Sequence, residues 1–542
     1  VLAFQHALIL LLLIASLSVL ARWLPWPALI TYLLGGVGAA LVPAFPRIAL
    51  DPGFFFLCFL PPLLFSDGWL MPLREFAKAK RPIFLLAIGL VIFTTLAVGF
   101  VAHWLVPGLP LAMAFALGAI VSPTDAVAVS AITERLRVPA RLTTILSGES
   151  LMNDATGLVG FKFALAVALG GSFSHRLVPG MVADFFLLAA IGLALGLSVG
   201  YGVGRLRDLL RHLHGSDALI ETTLSLLTPY AAYLLADRLH GSGILAVVAA
   251  GLYSGWRDPV RMDVETRQTA YGVWTLLLFW LNGMAFVLLG LQFPRLLEAV
   301  SDDFTSLQLL GFTAAVAGTA IAARMIWVFP GTYLPFLVPR VRATEKRPRP
   351  AAVLVLGWAG MRGTVTLAAA LSIPLALDDG TPLPGRDIAI FLAFGVIAVT
   401  LFLQGTTLEA LIHRVGLRED ESRPQEERLA RMTAVEAGLQ VLRTMELSAA
   451  TADEHAALGH VIAEYEQRLA VLTAEGETRR SAQQRRNAGH RYRAAALRAE
   501  REAVNELWLR GIIIDEVHRP LQELLDHEES MLAGSAPAAG EV

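Results

Sequence analysis

Two carboxylates stand where a membrane should not tolerate them. Asp125 lies in GAIVSPTDAVAVSAI and Asp154 in SGESLMNDATGLVGFKFALAVAL, both inside apolar segments of membrane length. A charge at mid-bilayer costs roughly 2.5–3.5 kcal/mol even on a lenient insertion scale, so such residues face an interior cavity and mark an ion path. Ser122, Pro123 and Thr124 precede Asp125, and Ser150 and Asn153 precede Asp154. Two acids among neutral oxygens form a donor set for a hard cation. The chemistry this implies is cation transport.

Spacing divides the second segment. Residues four apart share a helix face, so Ser150 and Asp154 point one way and Glu149 and Asn153 the other. Asp154 is the expected carrier, because desolvation penalises a charged carboxyl group and lets a proton compete with a monovalent cation for it. Asp125 stands at a chain break. There it either ligates the ion or caps the exposed amides of a second half-helix, and Thr124 beside it offers a hydroxyl or carbonyl oxygen. Glu149 and Arg362 are an intramembrane anion and cation, each needing a partner. Pairing them leaves no uncompensated buried charge, and that structural salt bridge is expected. Asp67, in LPPLLFSDGWLMP, falls near the cytoplasmic end of a span, where it lines a pathway or sits at the interface. Arg324 and Lys162 are further charges at membrane depth whose partners the chain does not name.

The elements that must carry these residues are helices. The chain has 542 residues, 55% of them hydrophobic and 17% charged, with a mean hydropathy of +0.59, well outside soluble composition. Apolar runs of about 17–25 residues fall near 1–22, 26–44, 53–71, 82–105, 110–133, 141–170, 178–204, 217–236, 241–256, 269–293, 306–337, 351–377 and 386–412. The expected fold is therefore an all-α polytopic membrane protein of about 13 transmembrane helices. Loops after odd-numbered spans hold 19 Lys and Arg, against five after even-numbered ones. The positive-inside rule then puts the N-terminus outside and the C-terminus in the cytoplasm. The first run lacks a basic n-region and a small-residue cleavage site, so it reads as a span and not as a signal peptide. The absence of a leading Met suggests that a few residues precede Val1. One cysteine, Cys58, excludes an intramolecular disulfide and a thiolate cluster.

Spans 1–6 and 8–13 begin on opposite sides of the membrane, the arrangement of an inverted repeat. The fifth member of each half is interrupted, by Ser122-Pro123-Thr124-Asp125 in one and by Gly357, Gly360, Gly363 and Pro374 in GWAGMRGTVTLAAALSIP in the other. Proline removes a backbone donor and glycine weakens a helix. Matching interrupted spans in two halves point to a transporter binding site.

LPPLLFSDGWLMP, ALGAIVSPTDAVAVSAI, SGESLMNDATGLV, ETTLSLLTPYAAYLLAD, WAGMRGTVTLAAALSIP and FLQGTTLEALIHRVGL occur in that order. Together they resemble the sodium/proton exchanger family of the cation:proton antiporter superfamily, over essentially all of residues 1–416. The bacterial members with a cytoplasmic helical tail are the most similar. The resemblance implies thirteen helices, two crossing broken helices in a mobile core, a dimerisation domain and hence a homodimer in the cell membrane. Thr124-Asp125 match the family's broken-helix pair, Asn153-Asp154 its asparagine–aspartate pair, Ser150 its hydroxyl ligand, and Glu149 with Arg362 its core salt bridge. Asn at position 153 resembles the electroneutral branch, in which one carboxylate swaps one cation for one proton. The chain departs from the pattern in the third span, where Ser66 stands at the place of an acid that many members carry and Asp67 follows it.

From Arg414 to Val542, 40 of 129 residues are charged, about 31%, against about 12% before it. This sets a membrane domain, 1–413, apart from a soluble helical tail, 414–542, for regulation or dimerisation. Breaks are expected at Pro424 and Gly476, and a kink or a later helix start at Pro520. The cluster Arg479, Arg480, Arg485, Arg486, Arg491 and Arg493 suits anionic lipid. No phosphate loop or metal-spacing motif appears, so no cofactor is expected beyond transported Na+ or K+ and H+. Expected partners are the bilayer, monovalent cations and protons, and not nucleic acid; a ligand for the tail is not apparent. Two other function classes compete: a cation channel or uniporter, which needs a repeated filter or charged ring, and an intramembrane aspartyl protease with Asp125 and Asp154 as its pair.

Overall fold

The computed structural model describes residues 2–43, 45, 52–136, 138–170, 178–345, 347–377, 380–417, 422–448, 451–474 and 476–535. Apart from an isolated bridge between Ala376 and Pro382, these residues form helices, turns and loops. The first are α1 (Leu2–Ala21), α2 (Ala28–Ala40), α3 (Pro52–Trp69), α4 (Leu73–Lys78) and α5 (Lys80–Phe84). A π-helical turn, Leu85–Leu90, joins α5 to α6 (Val91–Leu105). After α7 (Leu111–Val121) and α8 (Ala126–Arg135) comes α9 (Ala140–Ala168), followed by α10 (Val178–His214), α11 (Ala218–Arg238) and α12 (Gly243–Arg261). Next are α13 (Val264–Ser301), α14 (Ser306–Tyr333), the short α15 (Pro339–Thr344), α16 (Pro350–Trp358), α17 (Thr364–Leu371) and α18 (Arg386–Val415).

Among the described residues, eight helices are long and apolar enough to cross a membrane, and α1, α2 and α3 contain shorter apolar helices. Large apolar side chains such as Trp104, Phe100, Leu12 and Leu310 lie exposed. A water-soluble domain rarely gathers so many of them, and lipid is the solvent that suits them. The chain is an all-helical, multi-pass membrane protein.

Helix ends follow from local sequence. Asp217 caps α11 by accepting hydrogen bonds from the amides of Leu219 and Ile220 at 2.9 and 3.0 Å. Thr305 and Gln308 form a capping box at α14. Gly416 closes α18 in the left-handed region, φ 63°, where a Cβ would be strained. Helices α10 and α13, of 37 and 38 residues, run to roughly 55 Å and outlast a bilayer core of roughly 30 Å. The apolar runs at 178–204 and 269–293 mark only part of each helix, and the polar ends beyond them make side-chain contacts. One such contact is Arg211, whose guanidinium donates to both carboxylate oxygens of Glu221 at 3.0 and 2.6 Å.

Helices α6, α7 and α9 pack with one another, and α14 packs on α6, α16 and α18. Helices α10, α11 and α12 pack together, α12 also on α3, and α13 on α2. The broken spans sit in the first of these groups. Helix α7 stops at Val121 and α8 starts at Ala126; α16 stops at Trp358 and α17 starts at Thr364.

The chain divides into two compact units, Val1–Glu419 and Asp420–Val542. The second holds α19 (Ser422–Ser448), α20 (Ala452–Thr473), α21 (Gly476–Leu509) and α22 (Asp515–Ser535), with α19 packed on α20 and α21 on α22. Gly476 opens α21. Pro424 is the third residue of α19, where a missing amide costs little, whereas Pro520 is the sixth residue of α22, inside a helix that already starts at Asp515, so no later helix start occurs there. The side chains of Arg479, Arg480, Arg485 and Arg486 lie outside the described part of the molecule.

Candidate functional site at the two helix breaks

The two interrupted spans touch at their breaks. The amide of Asp125 donates to the carbonyl of Met361 at 2.8 Å, and Nε of Arg362 donates to the carbonyl of Val121 at 2.9 Å. Four half-helix ends meet here, and each meets the charge its dipole favours. Asp125 serves the N-termini: its Oδ1 accepts from the amide of Val127 at the start of α8, 2.8 Å. Its carboxylate also lies so close to Gly363, the residue that opens α17, that a Cβ there would overlap it. Arginines serve the C-termini. Arg362 reaches Val121, the last residue of α7, and also donates to the carbonyl of Gly360 just past α16. Arg324 of α14 donates to the carbonyl of Leu356 in the last turn of α16, through Nη2 at 3.0 Å.

Arg324 also corrects the expected Glu149–Arg362 bridge. Both oxygens of Glu149 are taken by Arg324, with Nη2 to Oε2 at 2.9 Å and a shorter contact from Nη1 to Oε1. Glu149 and Arg324 are fully buried. Arg362 is spent instead on backbone carbonyls that the breaks orphan, and its own amide donates to Thr400 Oγ1 at 3.2 Å. A helix break frees acceptors that local spacing does not reveal, and they compete with Glu149 for the guanidinium.

Asp67, Thr124, Asp125, Ser150 and Asp154 line one cavity of about 20 Å³, together with Leu63, Leu64, Pro123, Val127, Gly363 and the first turn of α17. That is room for roughly one water-sized occupant. Glu149, Asn153 and Arg362 do not line it. Asn153 lies behind it: its Nδ2 donates to Thr124 Oγ1 at 2.9 Å, and Thr124 Oγ1 donates to Glu149 Oε1 at 3.3 Å. Ser150 Oγ donates to the Thr124 carbonyl at 2.8 Å and accepts from the Ala126 amide at 3.1 Å. Both hydroxyl protons are thus committed away from the cavity. A hydroxyl oxygen has two lone pairs, so Thr124 and Ser150 each keep one uncommitted.

Asp154 differs from the other buried acids. Among the described residues no donor hydrogen-bonds its carboxylate, although only 4% of the residue is exposed. Asp67 joins it on the cavity wall from α3, one residue after the buried Ser66, whose Oγ donates to the carbonyl of Leu63 at 2.7 Å. Lys162, two turns beyond Asp154, is exposed. Sequence reasoning missed Thr364 and Thr366, cavity-lining residues of α17, and the signal was available: both lie just past the break at Gly363.

A family described as "Sodium/hydrogen exchanger, transmembrane" matches residues 9–414. A "Sodium, potassium, lithium and rubidium/H(+) antiporter" of Bacillus pumilus is 40% identical over 417 residues, 75% of this chain and 61% of that relative's length. The protein of the same description from Bacillus subtilis is 35% identical, over 98% of this chain and 78% of its own. An "Uncharacterized Na(+)/H(+) exchanger YjcE" of Escherichia coli is 36% identical over 98% of both chains. The solved structure of the sodium proton antiporter MjNhaP1 from Methanocaldococcus jannaschii at pH 8 has a similar fold, with TM-score 0.58 and 21% identity over 76% of this chain and 99% of that one. With three quarters of its length inside the family match, and broken helices meeting around buried acids, the chain belongs to the sodium/hydrogen exchanger family, a family of transporters and not of enzymes.

Proposed function

We propose that this protein exchanges one monovalent cation for one proton by alternating access, with Asp154 as the shared carrier. The observation that carries the reading is the free carboxylate of Asp154. It lies buried in an oxygen-lined cavity while the nearby guanidinium groups of Arg324 and Arg362 are engaged elsewhere. A static ion pair at this position is therefore not formed. Asp125, Thr124 and Ser150 contribute oxygens or hold the broken backbone that does so; Asn153 positions Thr124. Sodium is the favoured cation, with potassium and lithium as alternatives, because relatives named as antiporters for those ions share up to 40% identity. The family match disfavours the protease reading, and a cavity with room for about one water-sized occupant disfavours a channel.

Setting aside the short α4 and α15, and counting α5 with α6, α7 with α8 and α16 with α17, the same reading takes the described helices of Val1–Glu419 as thirteen spans in inverted repeats. The N-terminus faces outward, the tail is cytoplasmic, and two copies form a homodimer in the cell membrane. Having Asn at 153 leaves Asp154 as the single ionisable member of the pair, which makes exchange electroneutral. Competition at one carboxylate makes transport fall at low pH, where protons hold the site, and at high pH, where they are too scarce to return.

The test is Asp154→Asn in proteoliposomes carrying a pH gradient. Loss of sodium-driven gradient dissipation is expected, in a protein that still folds. Clamping the membrane potential should leave the wild-type rate unchanged. Wild-type exchange in the variant would remove Asp154 from the mechanism, and voltage-driven net cation flux would rule out one-for-one stoichiometry.

A further inference from the structure

We propose that the hydroxyl of Thr366, on the second broken span, is a further ligand of the transported cation and tunes its affinity. This rests on the reading of the Asp154 cavity as the cation site. Thr366 lines that cavity, is 1% exposed, and among the described residues its Oγ1 has no hydrogen-bond partner. Burying a hydroxyl unpaired costs free energy, so its solitude needs a reason.

The helix break supplies one. A threonine inside a helix ordinarily donates to the carbonyl three or four residues back, as Thr133 does to Val129, Thr156 to Met152 and Thr400 to Val396. Thr366 is the third residue of α17, so its acceptors would be the carbonyls of Arg362 and Gly363. Arg362 lies in the non-helical stretch, and Gly363 is held at φ −148° and ψ −140°. Gly363 gives its carbonyl to the amide of Leu367 at 3.3 Å. Among the described residues neither carbonyl accepts from the Thr366 hydroxyl, and its oxygen stays uncommitted beside the break. Thr94 and Thr222 also have orphaned hydroxyls, but neither lines the cavity.

The donor set then draws on both broken spans. Thr124 and Asp125 come from the first, Thr366 from the second, and Ser150 and Asp154 from α9. A cation bound across the breaks ties the two spans together through its own coordination. A neutral hydroxyl adds an oxygen without adding a charge, so one-for-one exchange is preserved. Hard cations take such oxygens readily.

The experiment compares Thr366→Val, which keeps the shape and deletes the oxygen, with Thr366→Ser, which keeps the oxygen. Full-length protein in proteoliposomes is assayed with sodium, lithium and potassium in turn, and cation-dependent thermal stabilisation is measured in detergent. Thr366→Val should raise the half-saturating cation concentration about tenfold, equivalent to about 1.4 kcal/mol, while the cation-free melting temperature stays level or rises. Thr366→Ser should restore the wild-type value. If Thr366→Val transports too slowly to assay, the sodium concentration needed for thermal stabilisation should shift by the same factor. Wild-type sodium dependence in both measurements would overturn the assignment, as would a lowered cation-free melting temperature with unchanged affinity. Asp154→Asn, run alongside, separates the two readings. An inert Asp154→Asn beside a wild-type Thr366→Val defeats only the ligand assignment, whereas an active Asp154→Asn defeats the site itself.

Discussion

Arg324 on α14 holds both carboxylate oxygens of Glu149 on α9, two residues 175 positions apart that are both fully buried. The same guanidinium donates to the carbonyl of Leu356. One side chain thereby ties α9, α14 and the end of α16 together behind the cavity.

Neutralising either partner strands a buried charge, so Glu149→Gln and Arg324→Gln should each cost about 3–5 kcal/mol of stability. The double variant should lose much less than their sum. A cycle of Glu149 with Arg362 should show weaker coupling, since Arg362 is bonded to backbone carbonyls. Denaturant melts in detergent measure both cycles; equal coupling in the two would contradict the pairing.

Gly363 gives up its side chain to the Asp125 carboxylate. Gly363→Ala should destabilise the protein by about 1–3 kcal/mol through overpacking and depress exchange. The penalty should shrink in an Asp125→Ala background, where the overlapping atoms are gone. A Gly363→Ala protein that melts like the wild type would show that the two breaks have room to spare.

Asp263, at the start of α13, has the Thr266 and Ser216 hydroxyls beside it and accepts a hydrogen bond from the Thr266 amide at 2.9 Å, and these dipoles push its carboxyl down to about 2. An ordinary Asp titrates near ~3.9. The folded value is the lower one, so the stabilisation is fully present above about pH 4 and is lost as pH falls through about 2. The difference in melting temperature between wild type and Asp263→Ala should be constant near neutral pH and close toward pH 2. A difference that does not change between pH 6 and pH 2 would refute this.

Arg207 and Arg205 stand two residues apart on α10 and should behave oppositely. Arg207 is 4% exposed and donates to Asp258 Oδ1 at 3.1 Å, while Trp69 Nε1 donates to Oδ2 of the same carboxylate at 3.2 Å. Arg207→Ala leaves Asp258 buried and unpaired, an expected loss of about 3–5 kcal/mol. Arg205 lies exposed over the Tyr201 ring, and Arg205→Ala should stay within about 0.5 kcal/mol of wild type. Thermal melts of the two variants decide the matter, and similar shifts would count against it.

The compact units meet in the chain at Glu419 and Asp420, and every residue lining the acidic cavity precedes them. Truncation after Glu419 should preserve saturable exchange while shifting its pH profile or the stability of the oligomer. Normal insertion with no exchange would mean that the tail takes part in transport.

Much of this protein is legible in its sequence, because the bilayer makes hydropathy and charge local signals. Asp125 and Asp154 stand out for being charged in apolar runs, Pro123 and Gly363 mark breaks because they weaken a helix wherever it lies, and the four-residue spacing of Ser150 and Asp154 puts them on one face without knowledge of any neighbour. The composition change near residue 414 likewise announces a separate tail, although α18 continues to Val415 before Gly416 turns it off. What the tertiary structure decided is pairing at a distance. Two arginines could each have served Glu149, and the choice of Arg324 depends on which one the orphaned carbonyls of Val121 and Gly360 had already claimed. Asp67 joins the cavity because α3 packs beside the first turn of α17, a contact between residues some 300 positions apart. Thr366 is uncommitted for a reason equally hidden from composition. Whether its hydroxyl meets a backbone carbonyl depends on the path of the chain around the break, which composition does not record.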